Sequence, residues 1–201
     1  MIYLASRSPR RRELLTQIGV RFHLLLYREK PRVPADVDEA PLESEAPEVY
    51  VQRVAQLKAE VAWHHLLERR LPLAAVLAAD TTVALGGRIL GKPTGRAEAE
   101  DMLAALSGTE HEVLTAIALR HGDWMQSALS RSAVRFKQLS QDEIRDYAAS
   151  GECDDKAGAY AIQGRAGRFV VELRGSYSGV MGLPLYETAE LLTAHERRNP
   201  H

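Results

Sequence analysis

The stretch Met1-Ile2-Tyr3-Leu4-Ala5-Ser6-Arg7-Ser8-Pro9-Arg10-Arg11-Arg12-Glu13-Leu14-Leu15 decides the fold. Met1–Ala5 is an apolar run that reads as a buried strand. It stops at Ser6-Arg7-Ser8. Ser8 then takes an N-cap position, with Pro9 as the first residue of a helix over Pro9–Ile18 that Gly19 ends. A strand, a tight turn and a helix N-terminus make an anion site, because unbonded backbone N–H groups and the positive end of the helix dipole point outward. Four arginines (Arg7, Arg10, Arg11, Arg12) crowd that same end. Helices favour acids in the first turn, so clustered arginine is unfavourable there unless an anion binds. The pattern points to a phosphate-bearing ligand; the plainer reading is a solvated basic helix start.

Downstream, Val20–Leu26 reads as a second strand, and the polar, proline-rich and acidic stretch Tyr27–Pro47 as a mobile loop. Glu48–Leu67 carries Val51, Val54, Ala55, Lys58, Ala59, Ala62 and Leu66 at helical spacing. Leu73–Leu85 is apolar and strand-like, interrupted by Asp80-Thr81-Thr82. Gly86-Gly87 forms a two-residue hairpin turn, and Arg88–Leu90 returns. Arg96–Leu106 is a helix. His111–Leu119 and Ser127–Phe136 are antiparallel strands, Asp142–Ser150 a helix, Phe169–Leu173 a strand and Leu185–His195 a closing helix. A strand-helix-strand start followed by long antiparallel strands predicts an α/β fold with a mixed sheet.

The chain has 201 residues, 45% of them hydrophobic, enough for one domain with a real core. Net charge is −1, from 26 basic and 27 acidic residues, which argues against nucleic-acid coating. One cysteine, Cys153, excludes a disulfide framework and a cysteine-based zinc site. No apolar run approaches the roughly 18–20 residues that span a bilayer, and the early arginines interrupt any signal-peptide core. The expectation is a cytoplasmic protein that does not bind membranes.

Asp80 is the sharpest single residue. A carboxylate at the end of an apolar strand is costly unless paired, metal-bound or catalytic. Its ordinary alternative is a turn residue. Lys92 follows the hairpin in Leu90-Gly91-Lys92-Pro93. Gly86 to Lys92 also fits the start of a P-loop, but Pro93 lacks both the hydroxyl and the N–H that motif needs. Lys92 remains a point charge for phosphate. Lys58 sits in an apolar helical face, where snorkelling is the simpler reading and a cleft-facing ammonium the sharper one. Asp36-Val37-Asp38-Glu39 are loop acids of the kind that Mg²⁺ or Mn²⁺ shares with substrate phosphates. Asp155–Gly164 and Gly175–Pro184 are two loops of small residues that let backbone approach a ligand. In the first of these, Gln163 offers a donor and an acceptor suited to a base edge. The histidines, including His64, His65 and His111, lack metal-ligand company and read as surface or structural.

Seven motifs in fixed order resemble the Maf family over nearly the whole chain. They are Leu4-Ala5-Ser6-x-Ser8-Pro9-Arg10-Arg11-x-Glu13-Leu14-Leu15, Asp36-Val37-Asp38-Glu39, Ala79-Asp80-Thr81, Leu90-Gly91-Lys92-Pro93, Leu106-Ser107-Gly108, Asp155-Lys156-Ala157-Gly158-Ala159-Tyr160 with Ile162-Gln163-Gly164, and Gly182-Leu183-Pro184. The resemblance implies one domain over residues 1–201, of two lobes around a deep nucleotide cleft. Its sheet is mixed, largely antiparallel and flanked by helices, in a fold similar to inosine-triphosphate pyrophosphatases. It implies metal-dependent hydrolysis of nucleoside triphosphates to monophosphate and pyrophosphate, with Mg²⁺ or Mn²⁺, a homodimer, and an association with septum formation. Asp80 matches the proton acceptor, and Glu39 an acid near the metal and the water. Arg11, Lys58 and Lys92 match phosphate-holding residues, with Lys92 assisting catalysis, and Ser8 belongs to the N-terminal signature. Arg10, Thr81 and Gln163 match the trio of the dTTP/UTP subgroup, with CTP a further candidate substrate. The alternatives are a 7-methyl-GTP or other modified-nucleotide pyrophosphatase, and a non-catalytic nucleotide-binding regulator of septum formation. Arg7 and Arg12 add charge beyond the family pattern, and Arg28–Pro34 reads as inserted.

Overall fold

The structure, a computed structural model, describes residues 1–26 and 37–199. The readings that fall on Tyr27–Asp36, among them the Arg28–Pro34 insertion and Asp36 of the acidic motif, lie outside the described residues. The chain opens with β1 (Ile2–Leu4), α1 (Pro9–Gln17), β2 (Phe22–Leu24) and the long α2 (Pro47–Glu68). The middle holds β3 (Val76–Leu85), β4 (Arg88–Leu90), α3 (Arg96–Leu106), β5 (Glu110–His121), β6 (Trp124–Phe136) and α4 (Gln141–Ala148). Two short 3₁₀ turns, β7 (Val170–Arg174), α5 (Tyr177–Met181) and α6 (Leu185–Arg198) close it.

The seven strands form one mixed sheet in the order β2-β1-β3-β5-β6-β7, with β4 beside β3. The β1 pairings with β2 and β3 are parallel, and all others antiparallel, as expected of a largely antiparallel sheet. The predicted N-terminal unit, the Gly86-Gly87 turn and α3 fall where the sequence puts them. Gly86 and Gly87 both have positive φ (56° and 80°), the signature of a two-residue hairpin turn and the end of the P-loop reading.

Two differences shape the site. Strand β3 does not end before Asp80. It runs unbroken through Asp80-Thr81-Thr82, because β5 pairs with it continuously from Val76 to Ala84. On the other edge of β3, β1 reaches only to the Ala5 N–H on Leu77 O at 2.8 Å, and β4 begins at Val83. Among the described residues, 78–82 therefore have no strand neighbour on that edge, and a cleft opens there. Second, Gly175–Pro184 is not only a loop, since Tyr177–Met181 forms α5. Ser176 caps it, accepting from Gly179 N–H, and Gly182 closes it in the left-handed conformation.

The faces of β3 alternate, as a pleated strand requires. Val76, Ala78 and Ala84 pack under α2 with Val54, Ala55, Ala59, Ala62 and Leu66. Leu77 and Ala79 pack on the other face with Leu14 and Leu15 of α1 and Leu191 of α6. A third cluster joins α3, α4 and the far ends of β5 and β6 around Phe136, Tyr147 and Phe169. Neighbours along β3 thus point to opposite faces. Asp80 faces α2 and Thr81 faces α1 and α5, and at the open edge both reach the same cleft. Among the described residues no helix is long and apolar enough to cross a membrane.

Candidate active site

The cleft encloses about 680 Å³. Ser8, Arg10, Arg11, Glu39, Lys58, Asp80, Thr81, Lys92 and Gln163 all line it. The sequence-predicted residues are therefore brought together from six separate stretches of chain.

At its floor lie two carboxylates and one ammonium. Lys58 Nζ is 2.8 Å from Asp80 Oδ1 and 2.9 Å from Glu39 Oε1. This overturns the snorkelling reading of Lys58, whose side chain is only 12% exposed and turns from the apolar face of α2 into the cleft. The apolar residues at helical spacing hold α2 against β3, and that contact leaves Lys58 opposite Asp80. A buried carboxylate needs such a partner. Burial pushes the Glu39 carboxyl up, but Lys58, and behind it Lys92 and Arg11, outweigh burial and hold it below the ordinary value. Glu39 is fixed from behind as well, since Tyr50 Oη donates to its backbone carbonyl at 3.0 Å. Tyr50 is itself pushed up to about 12 by burial and by the charges of Asp80 and Glu39. The described part of the acidic loop is thus tied to α2 rather than mobile. Arg53 adds a bidentate pair with Glu45 and a bond to Ala40 O.

Arg11 crosses the cleft wall. Its Nε donates to Gly182 O at 2.7 Å, Nη1 to Ser6 Oγ at 3.2 Å and Nη2 to Thr81 Oγ1 at 3.3 Å. Ser8 occupies the N-cap position of α1 without capping it by its side chain; its N–H donates to Ser6 Oγ at 3.2 Å. The hydroxyl expected to cap α1 therefore makes no capping bond. No acid enters the first turn of α1. Arg10, Lys92 and Lys156 converge at the mouth. Burial lowers the Lys156 ammonium, and the nearby Arg10 and Lys92 charges lower it further. Burial likewise lowers Arg10. A Lys156 ammonium lowered by its cationic neighbours marks a place where an anion gains. Val83, Val113, Tyr160, Ile162 and Val180 give the wall an apolar patch, with Gln163 exposed at its rim.

Sequence reasoning missed Tyr50, Lys156 as a cleft cation, and Thr115. The last carried a signal, a lone hydroxyl inside the buried run Val113-Leu114-Thr115-Ala116-Ile117. His111 is structural, as expected. It is 2% exposed, its Nε2 lies 2.9 Å from Tyr160 Oη, and its ring stands edge-on to Phe136.

An α/β fold whose open sheet edge gathers carboxylates and basic residues in one polar cleft defines a phosphate-ester or anhydride site. The chain belongs to the Maf-like protein family, whose model matches residues 1–195. It is 58% identical over 191 residues to the dTTP/UTP pyrophosphatase of Nitrosomonas europaea, covering 95% of this chain and 92% of that one. It is 58% identical over 192 residues to the dTTP/UTP pyrophosphatase of Aromatoleum aromaticum, covering 95% and 93%. To the dTTP/UTP pyrophosphatase of Dechloromonas aromatica it is 52% identical, covering 95% of each. Among solved structures it is similar to the Ham1 protein of Staphylococcus aureus, with TM-score 0.50 and 18% identity over 98% of this chain and 97% of that one. That likeness concerns the fold, and it agrees with the expected pyrophosphatase-like architecture.

Proposed function

We propose that this chain hydrolyses dTTP and UTP to the monophosphate and pyrophosphate. The observation that carries the reading is the Glu39–Lys58–Asp80 cluster facing Arg11 and Lys92 in one cleft. Relatives matched over 92–95% of their own length, at 52–58% identity, that carry the name dTTP/UTP pyrophosphatase support it.

In this reading Asp80 accepts a proton from water as its oxygen attacks the α-phosphorus. The bond from that phosphorus to the α,β-bridging oxygen breaks, and pyrophosphate leaves. Lys58, 2.8 Å away, aims the Asp80 carboxylate, while Arg11, Lys92 and Ser8 bind phosphate oxygens whose charge grows in the transition state. Gln163 meets the imide edge of the pyrimidine, with Arg10 at the mouth and Thr81 supporting Arg11. The apolar patch from Val83 to Val180 takes the face of the base.

Glu39 and Asp80 would also hold a divalent cation. Among the described residues no group of three or more metal-ligating side chains exists. Two carboxylates suffice for Mg²⁺ or Mn²⁺, which completes its shell with water and substrate phosphates. The site already holds a cation between these carboxylates, the Lys58 ammonium, so the donor set fits. When bound, the metal supplies charge neutralisation at the phosphate oxygens. Nucleoside triphosphate substrates support a cytoplasmic location, and among the described residues no helix is long and apolar enough to cross a membrane.

The test is pyrophosphate release from dTTP, UTP, CTP, 7-methyl-GTP and dITP with Mg²⁺ or Mn²⁺, wild type beside Asp80→Asn. Release from dTTP and UTP, reduced about 10²-fold or more in the variant, is expected. Release from 7-methyl-GTP alone overturns the specificity. No release with tight nucleotide binding overturns the activity and makes the chain a binding protein.

A further inference from the structure

We propose that Thr115, buried in the middle of β5, is the positioning residue that sets the phosphate-binding guanidinium of Arg11. The proposal rests on reading the cleft as a triphosphate site.

Thr115 lies directly opposite Thr81 in the β3–β5 register and opposite Ser130 in the β5–β6 register. These hydroxyl residues run across three strands on the face covered by α5, and Thr115 is 1% exposed. Thr115 Oγ1 donates to Gly179 O at 2.7 Å. A hydroxyl has one proton. Between Thr115 and Thr81, 2.9 Å apart, the donor must therefore be Thr81. The Thr81 oxygen then accepts from Arg11 Nη2. The chain of bonds runs in one direction, from Arg11 to Thr81 to Thr115 to the Gly179 carbonyl.

The second anchor of Arg11 returns to the same helix. Its Nε donates to Gly182 O, and Gly182 closes α5, its N–H bonding Gly179 O and Ser178 O. Thr115 holds α5 through Gly179 and Arg11 through Thr81, so the Gly182 and Thr81 anchors of the guanidinium depend on one buried hydroxyl, while the Ser6 Oγ bond is separate from it. Such a hydroxyl is costly in an apolar strand unless its bonds are made, and here they reach a side chain of the cleft. Close packing enforces the arrangement. A Cβ on Gly179 would lie 3.1–3.2 Å from side-chain atoms of Ser176 and Ser130.

The experiment compares Thr115→Val, which keeps shape and loses the hydroxyl, with Thr115→Ser, which keeps it. The first readout needs no turnover. In ¹H–¹⁵N spectra of arginine side chains, the Arg11 Nε–H signal is assigned by its loss in Arg11→Lys. It should persist in wild type and Thr115→Ser and be lost to exchange in Thr115→Val. Thr81→Val, which leaves the Thr115–Gly179 bond and so the Gly182 carbonyl in place, should keep the signal, and Thr115→Ala stands in if Thr115→Val does not fold. The second readout is kinetic. For UTP, Thr115→Val should raise KM about tenfold and weaken pyrophosphate inhibition in parallel, the worth of one lost hydrogen bond. Thr115→Ser should stay within about threefold of wild type. An unchanged Arg11 signal in folded Thr115→Val overturns the proposal, as does a fall in kcat alone. If wild type releases no pyrophosphate from UTP, the activity reading fails and the spectra alone decide the role of Thr115.

Discussion

Lys58 in α2 and Asp80 in β3 stand 22 residues apart in the chain, and their charged groups meet at 2.8 Å. Asp80 faces the buried underside of α2, where an unpaired carboxylate is costly. Lys58 serves Glu39 as well, so removing it strands two negative charges beside each other. Lys58→Met should lower unfolding stability by about 2–4 kcal/mol at pH 7, towards the low end because Glu39 is partly exposed and screened. The double variant Lys58→Met/Asp80→Asn should be more stable than Lys58→Met alone. Urea unfolding of the three proteins checks this, and a Lys58→Met as stable as wild type would remove the pairing argument.

Gly158 lies in the Asp155–Tyr160 motif with φ +66°. A Cβ there would come within 2.8–2.9 Å of the Val83 side chain. Val83 is a short, branched side chain on β3 that cannot swing away. The Gly158 N–H also donates to Gly91 O at 3.0 Å, which ties the motif to the Lys92 turn. Gly158→Ala should cost roughly 2 kcal/mol from strain and overpacking. At this chain length that is a fall in Tm of about 4–8 °C. A melt superimposable on wild type would refute the close approach.

His111 gives a pH dependence with a definite sign. Burial lowers its imidazole to about 4, against 6.5 when exposed. The unfolded chain therefore binds the extra proton first, and stability is lost as pH falls from about 6.5 towards 4, with the full contribution present above 6.5. Between pH 7 and 4.5 this one group should remove about 2 kcal/mol. Urea unfolding at both pH values, wild type beside His111→Gln, isolates it. The variant should lose less stability over that interval, and equal losses would contradict the buried neutral imidazole.

Much of the architecture was legible because its signals are local. The Ser8-Pro9 helix start, the Gly86-Gly87 turn and the Arg96–Leu106 periodicity depend on residues within a few positions of one another. The short β2 was overestimated, because Val20–Leu26 has strand composition but pairs with β1 only at Phe22–Leu24. Helix α5 was missed because its sequence, Tyr177-Ser178-Gly179-Val180-Met181, has weak helix propensity. The Ser176 cap and burial of Gly179 against the sheet form it instead.

The sequence by itself determined which chemical groups line the cleft, since the ordered motifs name Asp80, Glu39, Lys92, Arg11 and Gln163, and Lys58 stands out in the apolar face of its helix. Only the tertiary structure decided how those groups are held. The open edge of β3 lets Asp80 and Thr81 share one cleft although the pleat turns them to opposite faces. Packing of α2 turns Lys58 inward. Arg11 finds Gly182 across 171 residues, and Thr81 and Thr115 are joined by strand register. Such contacts arise from the burial of whole faces of helices and strands. That burial is a property of the packed chain, and no local stretch of sequence encodes it.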